Sequence, residues 1–205
     1  MSSCSRVGLF GGTFDPIHNA HLEVARQSLA QMNLSKVILI PSKHPPHKSE
    51  EGMTEADVRY EMVKIAIKGK DDLEVSSVEI NRKGPSYTID TLKEMKEVYG
   101  KIAFIVGADN LINIDTWKEP EKLLDSCPFI VAPRGGILKG DFEKDIFEEK
   151  DLRFLNMSEI SLSSTEVRER IMEGQPVDGM VPERVRNFIR EKDLYRVVPE
   201  EVSES

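Results

Sequence analysis

Short apolar runs rich in β-branched residues recur along the chain at 7–10, 37–40, 73–80, 102–106, 129–132 and 153–157, and they read as strands. Between them the apolar positions change period. Leu22, Ala25, Leu29 and Met32 follow the spacing of one helical face, so a helix joins the first two strands. Thr54-Glu55-Ala56-Asp57 resembles a capping box and opens a second helix through Val58, Met62, Ile65 and Ala66. A third runs from Thr88 through Ile89, Leu92, Met95 and Tyr99 and stops at Gly100. A fourth starts at Ser163 or Ser164 and carries Val167 and Ile171 before Gly174. Pro182 opens the last, with Val185, Phe188 and Ile189 inside. Continuous apolar strands alternating with helices predict the α/β class: a doubly wound parallel sheet covered on both faces, with ligands at the carboxyl ends of its strands.

At about 150 residues per domain, 205 residues make one domain spanning 1–205. Within it, 158–198 form a helical C-terminal subregion and 199–205 a flexible acidic tail. Residues 41–52 and 134–140 are the clearest loops, and no internal repeat is found. Lys and Arg number 28 against 36 Asp and Glu, a net charge of −8 that argues against a nucleic-acid partner. A composition 39% hydrophobic and 31% charged is that of a soluble globular protein. Cys4 and Cys127 share no motif, which predicts a reducing compartment. The first strand follows mostly polar residues that leave no room for a signal sequence, and no apolar stretch approaches about 18 residues, so no membrane partner and a cytoplasmic location are expected.

The first strand runs into Gly11-Gly12-Thr13-Phe14-Asp15-Pro16-Ile17-His18-Asn19-Ala20-His21 and then a helix. Two glycines after a buried strand let the backbone approach a ligand closely, and the helix N-terminus behind them offers unpaired N–H groups at the positive end of its dipole. That outlines a phosphate cradle, although a plain turn has the same glycines. It is neither G-x-G-x-x-G nor a loop ending in Gly-Lys-Ser/Thr, so neither a nicotinamide dehydrogenase nor a P-loop enzyme is supported. His18 and His21 share one side of the first helical turn and point at whatever the loop holds, which suits donors to a transferring phosphate. With His44 and His47 they could instead hold structural zinc, but such sites are usually cysteine-rich and these spacings match none of their patterns, so no metal ligand is assigned.

The segment Gly12-Thr13-Phe14-Asp15-Pro16-Ile17-His18-x-x-His21 resembles the G-T-F-D-P-x-H-x-G-H loop of the nucleotidylyltransferase superfamily. Ala20 stands where that family usually has glycine, a change that a helical φ tolerates. Ile160-Ser161-Leu162-Ser163-Ser164-Thr165-Glu166-Val167-Arg168 resembles the I-S-S-T-x-x-R segment that opens a helix in its adenylyltransferases. Read without the family, Ser and Thr at a helix start expose amides, and Arg168 one turn on offers phosphate a planar fork. Lys83-Gly84-Pro85-Ser86-Tyr87-Thr88-Ile89-Asp90-Thr91-Leu92, Gly107-Ala108-Asp109 followed by Trp117, and Pro45-Pro46-His47-Lys48 resemble the bacterial nicotinate-nucleotide adenylyltransferases in particular. Gly-Pro-Ser-Tyr-Thr is the segment that separates these from pantetheine-phosphate adenylyltransferases and cytidylyltransferases. Together the motifs cover residues 7–170.

The resemblance implies a Rossmann-like nucleotidylyltransferase fold with a small helical C-terminal part, and it implies an enzyme of NAD biosynthesis. The 5′-phosphate of nicotinate mononucleotide would attack the α-phosphorus of ATP, giving deamido-NAD and pyrophosphate, with Mg²⁺ riding on the substrate phosphates. Implied catalytic residues are His18 and His21. Implied ATP contacts are Gly11, Gly12, Thr13, Phe14, Lys48, Gly107, Asp109, Arg134, Ser164, Thr165 and Arg168; Thr13, Tyr87, Thr88 and Trp117 would meet nicotinate mononucleotide. Backbone N–H groups at Tyr87 and Thr88 suit the nicotinate carboxylate, and the Trp117 indole suits stacking on the pyridinium. Plainer roles stay open: Asp109 as a helix N-cap, Trp117 as a core filler, Lys48 as a solvated loop lysine. Alternatives for the whole protein are a related enzyme acting on nicotinamide mononucleotide or another phosphate monoester, and a non-catalytic nucleotide sensor. The expected partners are small molecules, and the sequence leaves open whether the chain is a homo-oligomer.

Overall fold

The computed structural model describes residues 6–44, 52–143 and 145–196. β1 (Arg6–Gly12) leads through α1 (Asn19–Met32) to β2 (Leu34–Pro41), and α2 (Ala56–Ile67) leads on to β3 (Leu73–Val75). α3 (Val78–Asn81) and α4 (Thr88–Tyr99) cross to β4 (Ile102–Gly107). α5 (Ala108–Leu111), a tight 3-10 turn at Ile114–Thr116 and α6 (Pro120–Ser126) return to β5 (Phe129–Ala132). Beyond β6 (Leu152–Phe154), α7 (Ser164–Met172) and α8 (Glu183–Glu191) close the described chain. The sheet order is β3-β2-β1-β4-β5-β6 and every pairing is parallel, the doubly wound sheet that the alternating sequence predicts. Because β1 sits between β2 and β4, connections leave it in opposite directions, and a crevice opens at its carboxyl end.

Alternate side chains of each strand enter opposite faces. Phe10, Val37, Leu39, Ala103 and Ile105 face α1, α2, α7 and α8, where Ala25, Met62, Val167, Val185 and Ile189 meet them. Val7, Leu9, Ile38, Ile40, Phe104 and Val106 face α4 and α6 through Leu92, Met95, Leu123 and Leu124. The C-terminal helices therefore share the core of the sheet instead of forming a body of their own. Cys127 is buried and free, and burial pushes its thiol up to about 11. Among the described residues no helix is long and apolar enough to cross a membrane. Cys4, His47, Lys48 and the acidic tail at 199–205 lie outside the described residues.

Five expectations of the sequence need correction. The strand at 73–80 stops at Val75, because Ser76 Oγ accepts the Val78 N–H (3.3 Å) and turns the chain into α3. The strand at 153–157 is Leu152–Phe154, since the Asn156 N–H is drawn off the sheet edge to Gln31 Oε1 on α1 (2.8 Å). The second helix has no capping box: it starts at Ala56, and the Thr54 carbonyl instead accepts from Arg59 Nε (2.8 Å). Its buried stripe is Arg59, Met62, Val63, Ala66 and Ile67, rotated from the expected face to bring in the arginine. Pro182 caps the last helix instead of entering it. Two helix boundaries fall where the signals put them: Gly100 ends α4 at φ 69° and Ser163 Oγ caps α7 by accepting the Glu166 N–H (3.1 Å), whereas β1 extends through Gly12 and β2 begins at Leu34.

Candidate active site

A cavity of about 560 Å³ opens at the carboxyl ends of β1 and β4. Gly11, Gly12, Thr13 and Phe14 form its floor, with the N-terminus of α1 behind them. Phe14 has a left-handed backbone (φ 52°) that folds its ring into the core, where it meets Phe10 edge-on at 5.7 Å and His21 at 5.0 Å. A Cβ on Gly12 would lie 2.9 Å from that ring, so the glycine is required here for close approach. The Phe14 side chain thus supports the loop from beneath, and only its backbone is available to a ligand. Ala20 sits in the first turn of α1, 7% exposed, where a methyl group causes no backbone strain.

The two histidines do not act alike. His21 lines the cavity, and its Nδ1 accepts the His18 N–H (3.3 Å), which places the proton of a neutral ring on Nε2. His18 is 0% exposed and stacks under His21, ring centroids 3.6 Å apart. As the extended N-cap of α1 (φ −138°) it turns beneath the loop, so the expectation that both imidazoles face the ligand holds for His21 alone. Neither His18 ring nitrogen has a hydrogen-bond partner among the described residues. Burial, aided by the nearby Arg134 cation, pushes its pKa down to about 3, so the ring is neutral at any physiological pH.

Two further helix starts reach the cavity. At α7, Ser164 Oγ donates to the Pro16 carbonyl (2.9 Å), and Arg168 donates to the Asp15 carbonyl (2.7 Å) and, more weakly, to Thr165 Oγ1 (3.4 Å). Ser164, Thr165 and Arg168 therefore line the phosphate-loop side and also brace that loop. At α4, Thr88 stands in the first turn and lines the cavity, as does Trp117, whose indole meets Phe104 edge-on at 6.5 Å. Tyr87 is less available than expected: its N–H already donates to the Pro85 carbonyl (3.2 Å), which leaves the amides of the following first turn, Thr88 among them, as donors at that helix start. Gly107 ends β4 and caps the short α5, so Asp109 lies within that helix and is not its N-cap. Asp109 Oδ2 pairs with Arg134 Nε (3.2 Å) across the mouth of the cavity. A Cβ at Gly107 would come 2.4 Å from Asp109 Oδ1. One cavity thus unites every expected site residue that is described except His18.

Four contributors escaped sequence reasoning. Arg59, 1% exposed, donates to the carbonyls of Thr13 (2.6 Å), Thr54 (2.8 Å) and, at longer range, Lys43 (3.4 Å), and so ties the loop to α2. Burial lowers its pKa, opposed by the Asp15 carboxylate. Tyr195 reaches the same loop from the far end of the described chain. Glu79 is buried at the Thr88 end of the cavity and accepts from Thr91 Oγ1 (2.7 Å); burial raises its pKa, and the Thr91 and Ser86 hydroxyls oppose that. Lys118 lines the wall beside Trp117, its Nζ 4.6 Å above the Tyr87 ring and 2.9 Å from Asp90. Only Arg59 left a signal, a charge inside an apolar helical stripe. The other three depend on contacts that local pattern cannot show.

Comparison with known proteins gives this geometry its context. Residues 9–170 match the family model described as cytidylyltransferase-like. A protein of Clostridium tetani named "Probable nicotinate-nucleotide adenylyltransferase" is 40% identical over 195 residues, 92% of this chain and 98% of that one. One of the same name from Desulfitobacterium hafniense is 40% identical over 199 residues, 94% of this chain and 96% of that one. Among solved structures, the nicotinic acid mononucleotide adenylyltransferase of Plasmodium falciparum complexed with NaAD superposes with a TM-score of 0.77 at 24% identity, covering 93% of this chain and 97% of that one. Its complex with APC gives 0.76 at 22% identity over the same shares, and both share the fold described above.

Proposed function

The chain belongs to the cytidylyltransferase-like family and, within it, to the nicotinate-nucleotide adenylyltransferases, and we propose on that basis that it joins ATP and nicotinate mononucleotide to give deamido-NAD and pyrophosphate. The observation that carries the reading is one cavity with two chemically different ends. One end is a glycine floor between the starts of α1 and α7 with His21 and Arg168, suited to a triphosphate; the other offers an indole and a helix-start amide, suited to an aromatic carboxylate.

The phosphate monoester of the acceptor is already anionic at neutral pH and needs no general base. Its oxygen forms a bond to the α-phosphorus of ATP while the bond to the β-phosphate oxygen breaks, and the electron pair leaves with pyrophosphate. The protein's work is to bring two polyanions into line and to neutralise charge. We assign the triphosphate to the backbone of residues 11–14, to the α1 and α7 termini with Ser164 and Thr165, to Arg168, and to Lys48 from outside the described residues. His21 donates to the transferring phosphoryl group, and neutral His18 supports it from beneath. Gly107, Asp109 and Arg134 receive adenosine, with Asp109 accepting from a ribose hydroxyl. Thr13, Tyr87, Thr88 and Trp117 receive nicotinate mononucleotide, the carboxylate on the Thr88 amide and the pyridinium on the indole. When bound, Mg²⁺ neutralises phosphate charge and orients the leaving group. No protein ligand is assigned to that cation, which would be carried by the phosphates of ATP. The proposed place of action is the cytoplasm.

Pyrophosphate release from ATP, followed with nicotinate mononucleotide, nicotinamide mononucleotide, phosphopantetheine and simple alcohol phosphates as acceptors, tests the reading. A donor that loses its charged partner in the amide predicts preference for the acid by at least about tenfold in kcat/KM. Equal kcat/KM for acid and amide would refute the assigned acceptor, and ATP binding with no release on any acceptor would refute transfer.

A further inference from the structure

The loop that cradles phosphate in the reading above is fastened from an unexpected distance. The Tyr195 hydroxyl donates to Asp15 Oδ1 at 2.6 Å, across 180 positions of sequence. Asp15 is only 4% exposed, and its other carboxylate oxygen accepts the Thr54 N–H (3.2 Å). Its carbonyl takes Arg168 (2.7 Å), and the neighbouring Thr13 carbonyl takes Arg59 (2.6 Å). Between those two carbonyls lies Phe14 with φ 52°, a conformation that an L side chain keeps only when its surroundings over-determine it. Of these fasteners, Tyr195 alone is a neutral side chain, and it stands in a turn after the last described helix (φ 62°). Burial pushes its phenol far above the ordinary value, so it stays a donor at every working pH.

We propose that Tyr195 is a positioning residue for adenylyl transfer: its hydroxyl, acting through Asp15, holds residues 11–18 in the shape that receives the phosphates of ATP. The turn after α8 thereby sets the geometry of a site whose residues lie at the other end of the chain. The inference rests on the proposed function only in taking this loop as the ATP phosphate site. Apart from Thr13, the acceptor groups lie at α4 and Trp117, whereas among the described residues the Tyr195 hydroxyl reaches Asp15 and Met62.

Tyr195→Phe is the test, because it keeps the ring against Met62 (hydroxyl to Sδ 3.9 Å) and removes one oxygen atom. Affinity for a non-hydrolysable ATP analogue and for nicotinate mononucleotide is measured separately by calorimetry, with kcat and the thermal midpoint alongside. Losing a charge-assisted hydrogen bond that shapes a phosphate loop is expected to weaken analogue binding about tenfold and to lower kcat, with acceptor affinity within about twofold of wild type. Analogue affinity and kcat both within about twofold of wild type would overturn the proposal. So would equal losses for both ligands in step with a lower thermal midpoint, the mark of a merely structural role. Wild-type protein that binds the analogue but releases no pyrophosphate would sink the function and not this inference, which the binding ratio alone then decides. Wild-type protein that binds no analogue would sink both.

Discussion

Gly107→Ala separates what the adenosine end of the cavity needs for folding from what it needs for chemistry. The backbone at Gly107 is ordinary for any residue (φ −72°, ψ 144°), so alanine brings no conformational penalty. Its methyl group would instead lie 2.4 Å from Asp109 Oδ1 and 3.4 Å from Arg134 Cδ. An ordinary contact is about 3.4 Å or more, so the carboxylate must withdraw by about 1 Å, the easiest response because it is a side-chain end. That breaks the Asp109–Arg134 pair, whose side chains are 36% and 39% exposed, and a pair so exposed is worth at most about 1 kcal/mol. Stability should therefore fall by no more than about 1 kcal/mol, a few degrees of thermal midpoint for a chain of this size. Displacing the group assigned to the ribose by about 1 Å is a different matter, because such a misplacement can cost about a hundredfold, or about 2.7 kcal/mol of transition-state stabilisation. The assay is kcat/KM for ATP with nicotinate mononucleotide saturating, measured beside a thermal melt of the same preparation. Wild-type kcat/KM in the variant would mean that Asp109 has no ribose to position, and a collapse of the melt would mean that the steric argument misjudged how the site relaxes.

His21→Ala should lower kcat by at least about tenfold while circular dichroism stays native, since among the described residues it removes the one imidazole that lines the cavity; undiminished turnover would remove His21 from the mechanism. His18 gives a pH signature. The unfolded chain takes up its proton near 6.5 and the folded protein only near 3, so acidification favours the unfolded state and costs about 1.4 kcal/mol per pH unit between those values. Denaturant unfolding in that window should lose this slope in His18→Gln, and a His18 resonance titrating near 6.5 would contradict the burial argument.

The strands legible in the sequence were those buried on both faces. At 37–40, 102–106 and 129–132 every side chain meets a helix layer, and the apolar run is unbroken. The edge strands were misjudged because their limits are set by partners. β3 pairs with β2 at three positions before Ser76 turns the chain away, and β6 ends where Gln31 draws off Asn156. The phosphate loop was legible for a similar reason: two glycines, a cap and a helix start are local features. What the loop does with its histidines was not, since His18 and His21 are equal in spacing and opposite in environment. Arg59 showed only as a charge inside an apolar stripe and Tyr195 not at all, because an arginine inside a helix, or a tyrosine beyond one, acquires a role only when the fold sets a carbonyl or carboxylate before it.

That division also resolves how a chain of net charge −8 holds several phosphates. The cations nearest the cavity are not a free positive surface. Arg59 is buried against three carbonyls, Arg134 faces Asp109, and Arg168 gives one N–H to the loop that it helps to shape. Positive character at the floor comes instead from helix starts, which a formal charge count omits. At α1 the Asn19 and His21 N–H groups already donate to the Met180 and His18 carbonyls, and at α7 the Glu166 N–H donates to Ser163 Oγ, so the dipole ends and the remaining first-turn amides supply it. Such donors act over a few ångströms and only in the direction they point, whereas unpaired surface lysines and arginines attract any polyanion over a Debye length of about 10 Å. A site built this way admits a small anion of matching shape. The acidic surplus is therefore compatible with the cradle, because a mononucleotide is held by a short, directional set of donors and not by the net charge.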